Sequence, residues 1–192
     1  KSGFHGYNAV GALGGKVSDV KVGLAGTKFT LTKGKKKLNL HSALLGRHQV
    51  GPLALAAALA DHYGLSTAQI ERGIGQTAPF EHRMQPRALH GAWIIDDSYN
   101  GNIDGMQAGL ALLKELPGKR KIYVTPGLVD QGVETEAVHR QLGQAIAEAK
   151  PDRVVLIKNS ATPFIQESLR NGNFNGELYI EEQPLEYYNN LE

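Results

Sequence analysis

The chain has 192 residues, enough to bury a sizeable core as one large domain or two small ones. Its 21 Lys and Arg against 19 Asp and Glu leave a formal net charge of +2, so no broad field draws nucleic acid or an anionic membrane, and any such role would need a local basic run. Without cysteine there are no disulfides, thiolate zinc sites or thiol nucleophile, and no uninterrupted apolar run approaches the ~20 residues of a transmembrane helix.

Lys1-Ser2-Gly3-Phe4 is neither an initiator methionine nor the start of a signal peptide, and the sequence stops at Leu191-Glu192 inside what reads as a starting helix. A fragment of a longer polypeptide is expected. Gly11-Ala12-Leu13-Gly14-Gly15-Lys16-Val17-Ser18 approaches the phosphate-loop pattern but has Val10 in place of the first glycine and Val17 in place of the hydroxyl, and it reads as an ordinary loop. From Val17 to Leu40, apolar Val20, Val22, Leu24, Phe29, Leu31, Leu38 and Leu40 alternate with polar positions, which predicts antiparallel strands joined by tight turns. The run Lys33-Gly34-Lys35-Lys36-Lys37 is read as a solvated hairpin tip, since no aromatic residue interleaves it.

Gly46-Arg47-His48-Gln49-Val50-Gly51-Pro52 opens a helix expected to run to about Tyr63, with Pro52 in the first turn, where a missing N–H is harmless. Its stretch Leu53 to Ala60 is almost wholly apolar and predicts burial on most sides. A second helix follows, marked by Ser66 and Gln69 at capping-box spacing and ended by Gly73 and Gly75. Gln76 to Arg87, with Pro79 and Pro86, reads as irregular and polar.

Beyond it the pattern alternates: strand 92–96, helix 103–116, strand 121–125, helix 134–149, strand 153–157, helix 163–170 with Thr162 as cap, and strand 177–180. Strands separated by helices predict a parallel, Rossmann-like sheet. The fold class is therefore α/β, with residues 1–80 as one unit, 81–90 as a linker and 91–192 as the second unit.

Chemistry concentrates at Trp93-Ile94-Ile95-Asp96-Asp97-Ser98-Tyr99-Asn100-Gly101-Asn102, where an apolar strand ends in two carboxylates and a turn rich in amides. In an open α/β sheet ligands bind just beyond such a strand end, and carboxylates for hydroxyls or a metal beside an aromatic face suit a nucleotide-like molecule. Arg83, in Glu81-His82-Arg83-Met84, adds a fork donor for phosphate at the linker. The seven histidines, His5, His41, His48, His62, His82, His90 and His139, never pair at metal-ligand spacing, and Ser98 lacks the G-x-S-x-G elbow of a serine hydrolase.

Asp96-Asp97-Ser98-Tyr99-Asn100-Gly101-Asn102 resembles the D-D-S-Y-N-A-N signature of the Mur ligases, in the branch that joins D-alanyl-D-alanine to UDP-N-acetylmuramoyl-tripeptide. Three further blocks match that family in order. Gly46 to Val50 with the alanine-rich helix resembles the G-x-H-N-x-x-N-A-x-A-A block that closes the family's central ATPase domain; His82-Arg83-Met84 resembles its H/G-R-[FM] step; Thr125-Pro126-Gly127-Leu128-Val129-Asp130-Gln131-Gly132 with His139 resembles T-P-G-M-V-E-L-G…H. Gln49 and Pro52 stand where that family has asparagines, Pro52 at the adenine-contacting one, and Asp130 and Gln131 stand for Glu and Leu.

The resemblance implies that residues 1–80 end the central ATPase domain and that 91–192 begin a glutamate-ligase-type C-terminal domain. It implies an ATP-dependent carbon–nitrogen ligase of peptidoglycan precursor synthesis, using ATP and Mg²⁺ and an acyl phosphate, with UDP-MurNAc-peptide and D-Ala-D-Ala as substrates. Carried over by position, Arg83 contacts the nucleotide phosphates and Asp97 the ribose hydroxyls. Tyr99, Asn100 and His48 complete the nucleotide side of a cleft that closure of the domains assembles, and Asn102, Asp130 and His139 are candidates for its substrate side. No catalytic residue or metal ligand is assigned within the chain, because the family's phosphate loop and modified lysine are expected upstream; the fragment alone is not expected to turn over. A cytoplasmic monomer without nucleic-acid partner or membrane insertion is expected. The alternatives are a Mur-type ligase with another acceptor, of the folylpolyglutamate or amidotransferase-partner kind, and a non-catalytic nucleotide-binding scaffold.

Overall fold

The computed structural model describes residues 10–182; His5 and the helix expected to start before Glu192 lie outside the described residues. Two compact units make up the chain, one ending at Asn100 and the other beginning at Gly101.

In the first unit β1 (Gly15–Gly23), β2 (Gly26–Lys33) and β3 (Lys36–Ser42) form an antiparallel meander in the order β1-β2-β3. The period-2 pattern sorts the faces: Leu38 and Leu40 of β3 are buried while Lys37, Asn39 and His41 point out. The Gly34-Lys35 turn leaves the lysine run only partly solvated, because Lys33 and Lys36 both reach Asp61, at 2.9 and 2.5 Å.

Asp61 lies on α1 (Val50–His62), which follows a 3₁₀ turn at Arg47–Gln49. Val50, Leu53, Ala54, Ala57 and Ala58 of α1 are buried with Phe29, Leu31, Leu38 and Leu40 of the sheet and Ile70 and Ile74 of α2 (Thr67–Gly75). The expected capping box starts α2: Ser66 Oγ accepts the Gln69 N–H at 3.3 Å and Gln69 Oε1 accepts the Ser66 N–H at 2.9 Å.

Residues 85–89, expected within an irregular linker, instead form strand β4 (Gln85–Leu89), which pairs antiparallel with β5 (Ala92–Asp96). β5 was expected in a parallel sheet; its paired neighbour is β4. The cause is the two-residue connection His90-Gly91, with φ of 47° and 80°, the doubly left-handed backbone of a type I′ hairpin turn. Pro86 is compatible with a two-stranded ribbon, in which each strand has a free edge.

The second unit has the expected alternation: α3 (Ile103–Glu115), β6 (Ile122–Thr125), α4 (Thr135–Ala149), β7 (Arg153–Ile157), α5 (Thr162–Asn171) and β8 (Glu177–Glu181). The three strands are parallel in the order β6-β7-β8, with Val124, Val155 and Tyr179 in register. Leu110, Leu142, Ile146, Val154, Leu156, Ile165 and Leu169 form its core. Gly143 lets α4 approach α5, since a Cβ there would stand 2.7 Å from the Ile165 carbonyl. Thr162 is not the cap of α5. It lies inside the helix, where its Oγ1 accepts the Asn159 N–H at 2.9 Å, and Asn159 Oδ1 in turn accepts the Ala161 N–H at 2.9 Å. Among the described residues no helix is long and apolar enough to cross a membrane.

Candidate functional site

The turn at residues 82–84 carries Arg83 between two non-glycine residues in the left-handed region, His82 at φ 58° and Met84 at φ 46°. Such residues cost about 1 kcal/mol or more each and persist only where their surroundings hold them. Here the end of β5 does so. The His82 ring Nδ1 lies 2.8 Å from Asp96 Oδ2, the His82 carbonyl accepts the Tyr99 N–H at 3.2 Å, and the Met84 N–H donates to Asp97 Oδ1 at 3.1 Å. Met84 is itself buried. The guanidinium of Arg83 then donates to the Asn100 carbonyl at 2.8 Å and lies 4.7 Å from the centre of the Tyr99 ring.

Resemblance implied that closure of two domains brings Arg83 and Asp97 together. In the structure both belong to the unit that ends at Asn100 and are already joined through this turn. Hairpin pairing of β4 with β5 sets Gln85, the residue after the turn, opposite Asp96, and so makes them neighbours.

The two adjacent carboxylates differ. Asp96 accepts from His82 and Arg87 on Oδ2 and from the N–H and Oγ of Ser98 on Oδ1. Partial burial pushes its pKa up, but the hydrogen bonds from His82 and Ser98 outweigh that and leave it below the usual carboxylate range. Asp97 is shifted the other way. Its residue surface is largely exposed, yet crowding around the carboxyl desolvates it and pushes the pKa up against the Met84 N–H, Arg83 and His48.

His48 belongs to the same unit. Burial lowers its pKa, partly offset by the negative charge of Asp97. Its Nε2 accepts from the Gln49 amide at 2.9 Å, so Gln49 anchors the ring. Gly46, at φ 100°, leaves room for that ring: a Cβ there would stand 2.6 Å from His48 Cε1. Pro52 sits exposed in the first turn of α1. Tyr99 presents its ring to solvent at 61 % exposure, edge to face with Phe80 at 6.0 Å and 68 % exposure. Arg83, Asp97, Tyr99, Asn100 and His48 thus share one unit.

Asn102, Asp130 and His139 lie in the other unit. Asn102 caps α3, its Oδ1 accepting the Gly105 N–H at 2.8 Å. Asp130 is exposed on the loop after β6, at φ 57°. His139 is fully buried at 0 % exposure, with Nδ1 2.6 Å from the Thr135 carbonyl and Nε2 accepting the Leu128 N–H at 2.9 Å. These partners fix the neutral Nδ1–H form of the ring and make it a strut under the 126–130 loop.

The turn holds together a fork donor of the kind that suits phosphate, a carboxylate that can accept from hydroxyls and an exposed aromatic face. Residues 82–188, more than half of the chain, match the family model for the Mur ligase, glutamate ligase domain. The chain belongs to the Mur ligase family. It is 33% identical over 141 residues to the UDP-N-acetylmuramoyl-tripeptide–D-alanyl-D-alanine ligase of Escherichia coli, an alignment that covers 73% of this chain and 31% of that enzyme. Among solved Mur ligases, MurF from Acinetobacter baumannii superposes with a TM-score of 0.75 at 22% identity, covering 93% of this chain and 38% of that one. The MurF ligase of Thermotoga maritima, solved in complex with ADP, superposes with a TM-score of 0.72 at 15% identity over 93% of this chain and 39% of that one. These structural likenesses speak for the fold. The chain spans about a third of the length of the curated Mur ligases it matches.

Among the described residues no three His, Asp or Glu side chains are grouped to hold a metal ion. In the sequence Asp96 stood out with Asp97 as one of two carboxylates at the strand end but had no role of its own, and His82, Arg87 and Phe80 had none. For Phe80 a signal existed, since an apolar aromatic in an otherwise polar connector is worth explaining. For Asp96 only its place beside Asp97 pointed to the site.

Proposed function

We propose that this chain is the nucleotide-gripping part of an ATP-dependent ligase of peptidoglycan precursor synthesis, one that adds D-Ala-D-Ala to UDP-MurNAc-tripeptide. The single observation that carries the reading is the convergence of Arg83, Asp97 and Tyr99 on one turn in a Mur ligase chain. The branch rests on the curated relatives, whose names share that activity. Residues 1–80 correspond in this reading to the end of a central ATPase domain, 81–90 to the connection, and 91–192 to the C-terminal domain. The complete protein is taken to be a cytoplasmic monomer.

In the reaction so proposed, an oxygen of the substrate carboxylate takes the γ-phosphoryl group of ATP and ADP leaves. The incoming amine then displaces inorganic phosphate to form the amide. Arg83 supplies planar donors for phosphate oxygens, and Asp97 accepts from vicinal ribose hydroxyls while its Oδ1 keeps the Met84 turn in place. Tyr99 and Phe80 offer ring faces, and His48 is held by the Gln49 amide, with burial favouring its neutral form and the negative charge of Asp97 partly offsetting that. Mg²⁺ is inferred as the counter-ion of the nucleotide and supplies charge neutralisation when bound. Asn102, Asp130 and His139 are retained as the substrate-side set, with Asn102 and Asp130 its exposed members, Asn102 at the start of α3, and His139 buried beneath the loop that carries Asp130.

The test is ADP release by the complete ligase with Mg²⁺, ATP and UDP-MurNAc-tripeptide, with and without D-Ala-D-Ala. Release that requires both substrates is expected. Release with a different acceptor only would move the protein to another branch of the family, and ATP binding without release under any acceptor would leave a nucleotide-binding scaffold.

A further inference from the structure

We infer that Asp96 is a positioning residue for the nucleotide site, acting through Arg83 rather than on the ligand. The inference rests on the nucleotide reading of Arg83 and goes beyond it, since the motif resemblance gives Asp97 the ribose hydroxyls and leaves Asp96 without a role. Their partners do. Asp96 is held by groups of its own unit, His82 and Arg87 on one oxygen and the backbone and hydroxyl of Ser98 on the other, with a side chain only 18% exposed. A carboxylate saturated in this way has little capacity left for ribose or metal.

What it holds is the geometry around Arg83. His82 is in a left-handed backbone conformation, and its ring is fastened to Asp96 while its carbonyl is fastened to the Tyr99 N–H. On the far side of Arg83, Met84 is fastened to Asp97. The arginine is thus carried on a turn pinned at both flanks, one pin to each carboxylate of the Asp96-Asp97 pair. Arg87 ties β4 to Asp96 as well, at 2.8 Å, so strand pairing and the turn are set by one side chain. Ser98, held by the other oxygen, fixes the start of the segment that delivers Tyr99 and Asn100, the two groups the Arg83 guanidinium touches. Loosening Asp96 therefore frees both the donor and its resting place.

The experiment is a double-mutant cycle on ADP affinity in the complete ligase, measured by calorimetry for Asp96→Asn, Arg83→Ala and the pair, alongside thermal melting of each variant. Asp96→Asn is expected to weaken ADP by roughly tenfold, the scale of one charge-assisted hydrogen bond, and to add nothing once Arg83 is alanine. In turnover the same variant raises the KM for ATP with kcat at saturation largely kept. His82→Ala removes the same pin from its other end while leaving Asp96 its Arg87 and Ser98 partners, and it is expected to show the same loss and the same dependence on Arg83; it decides the matter if Asp96→Asn does not fold. Unchanged ADP affinity in these variants overturns the inference, as does an equal loss in the Arg83→Ala background, which would mark Asp96 as a general support of the fold. If Arg83→Ala alone leaves ADP affinity intact, the nucleotide reading of that arginine falls first and takes the inference with it.

Discussion

His139 Nε2 accepts the backbone N–H of Leu128 at 2.9 Å, while the other ring nitrogen meets the Thr135 carbonyl one turn back along α4. A single buried side chain therefore joins the loop after β6 to the helix that follows it. Gly127 makes the approach possible: it sits at φ 82°, and a Cβ would stand 2.6 Å from the His139 ring. Gly127→Ala is expected to destabilise the protein by about 2 kcal/mol or more, since it combines a disfavoured backbone with a clash against a buried ring. Thermal and urea unfolding of the chain check this; a loss below ~0.5 kcal/mol would mean the loop detaches from His139 without penalty.

The capping box on α2 offers a calibrated comparison. Ser66→Ala removes the acceptor for the Gln69 N–H, and the expected loss is about 1 kcal/mol, with Ser66→Asp restoring most of it. Ser66→Ala that unfolds at the parent's urea midpoint would show that tertiary packing of Ile70 and Ile74, and not the cap, secures this helix.

These two cases mark how far the sequence could be read. Ser66 and Gln69 are three residues apart and satisfy each other, so their pairing is visible in the linear text. The alternation of apolar strands and helices beyond residue 121 is local in the same sense and predicted the parallel sheet. The hairpin at 85–96 was missed because His90-Gly91 is an unusual pair for a type I′ turn, and Pro86 argued against a strand. At the candidate site the residue types at 83, 97 and 99 could be read from the sequence. Their assembly could not, because the His82 to Asp96 contact spans fourteen residues and exists only once that hairpin has formed. His139 shows the same limit, since nothing in the spacing distinguishes a histidine facing a ligand from one serving as a buried strut.

Asp61 gathers Lys33 and Lys36, and their hydrogen bonds and charges hold its carboxyl below the usual range. The sign of the pH effect follows. A carboxylate depressed in the folded state contributes stability that is present above its unfolded pKa and is lost as pH falls through the folded value. Asp61→Asn is therefore expected to cost about 1 kcal/mol at neutral pH and little at strongly acidic pH, with the difference shrinking in high salt. Melting temperatures of both proteins across pH 2 to 7 give the comparison, and a constant offset at every pH would show that packing, not charge, is what the substitution removes.

Asp97 shifts in the opposite direction, and on the proposed nucleotide reading its titration reports on binding more than on folding. Crowding raises its pKa, so the folded chain takes up a proton there at a higher pH than the unfolded chain does, and stability on this account declines as pH rises through that window. Nucleotide affinity runs the other way. The ionised carboxylate is the better acceptor for ribose hydroxyls, so ADP binding by the complete ligase should weaken as pH falls into a window lying above the ordinary carboxylate range. Asp97→Asn keeps an oxygen for the Met84 N–H but carries no charge, and it is expected to weaken ADP by roughly tenfold at neutral pH, with the gap from the parent closing as pH falls. Asp97→Ala loses the Met84 contact as well and should weaken binding further, because the turn that carries Arg83 then loses one of its pins. Calorimetric titration of ADP between pH 4 and 8 separates the three proteins by difference, because titration of the ADP phosphate is common to all of them; a ratio of parent to Asp97→Asn affinity that stays constant with pH would remove Asp97 from the ribose position.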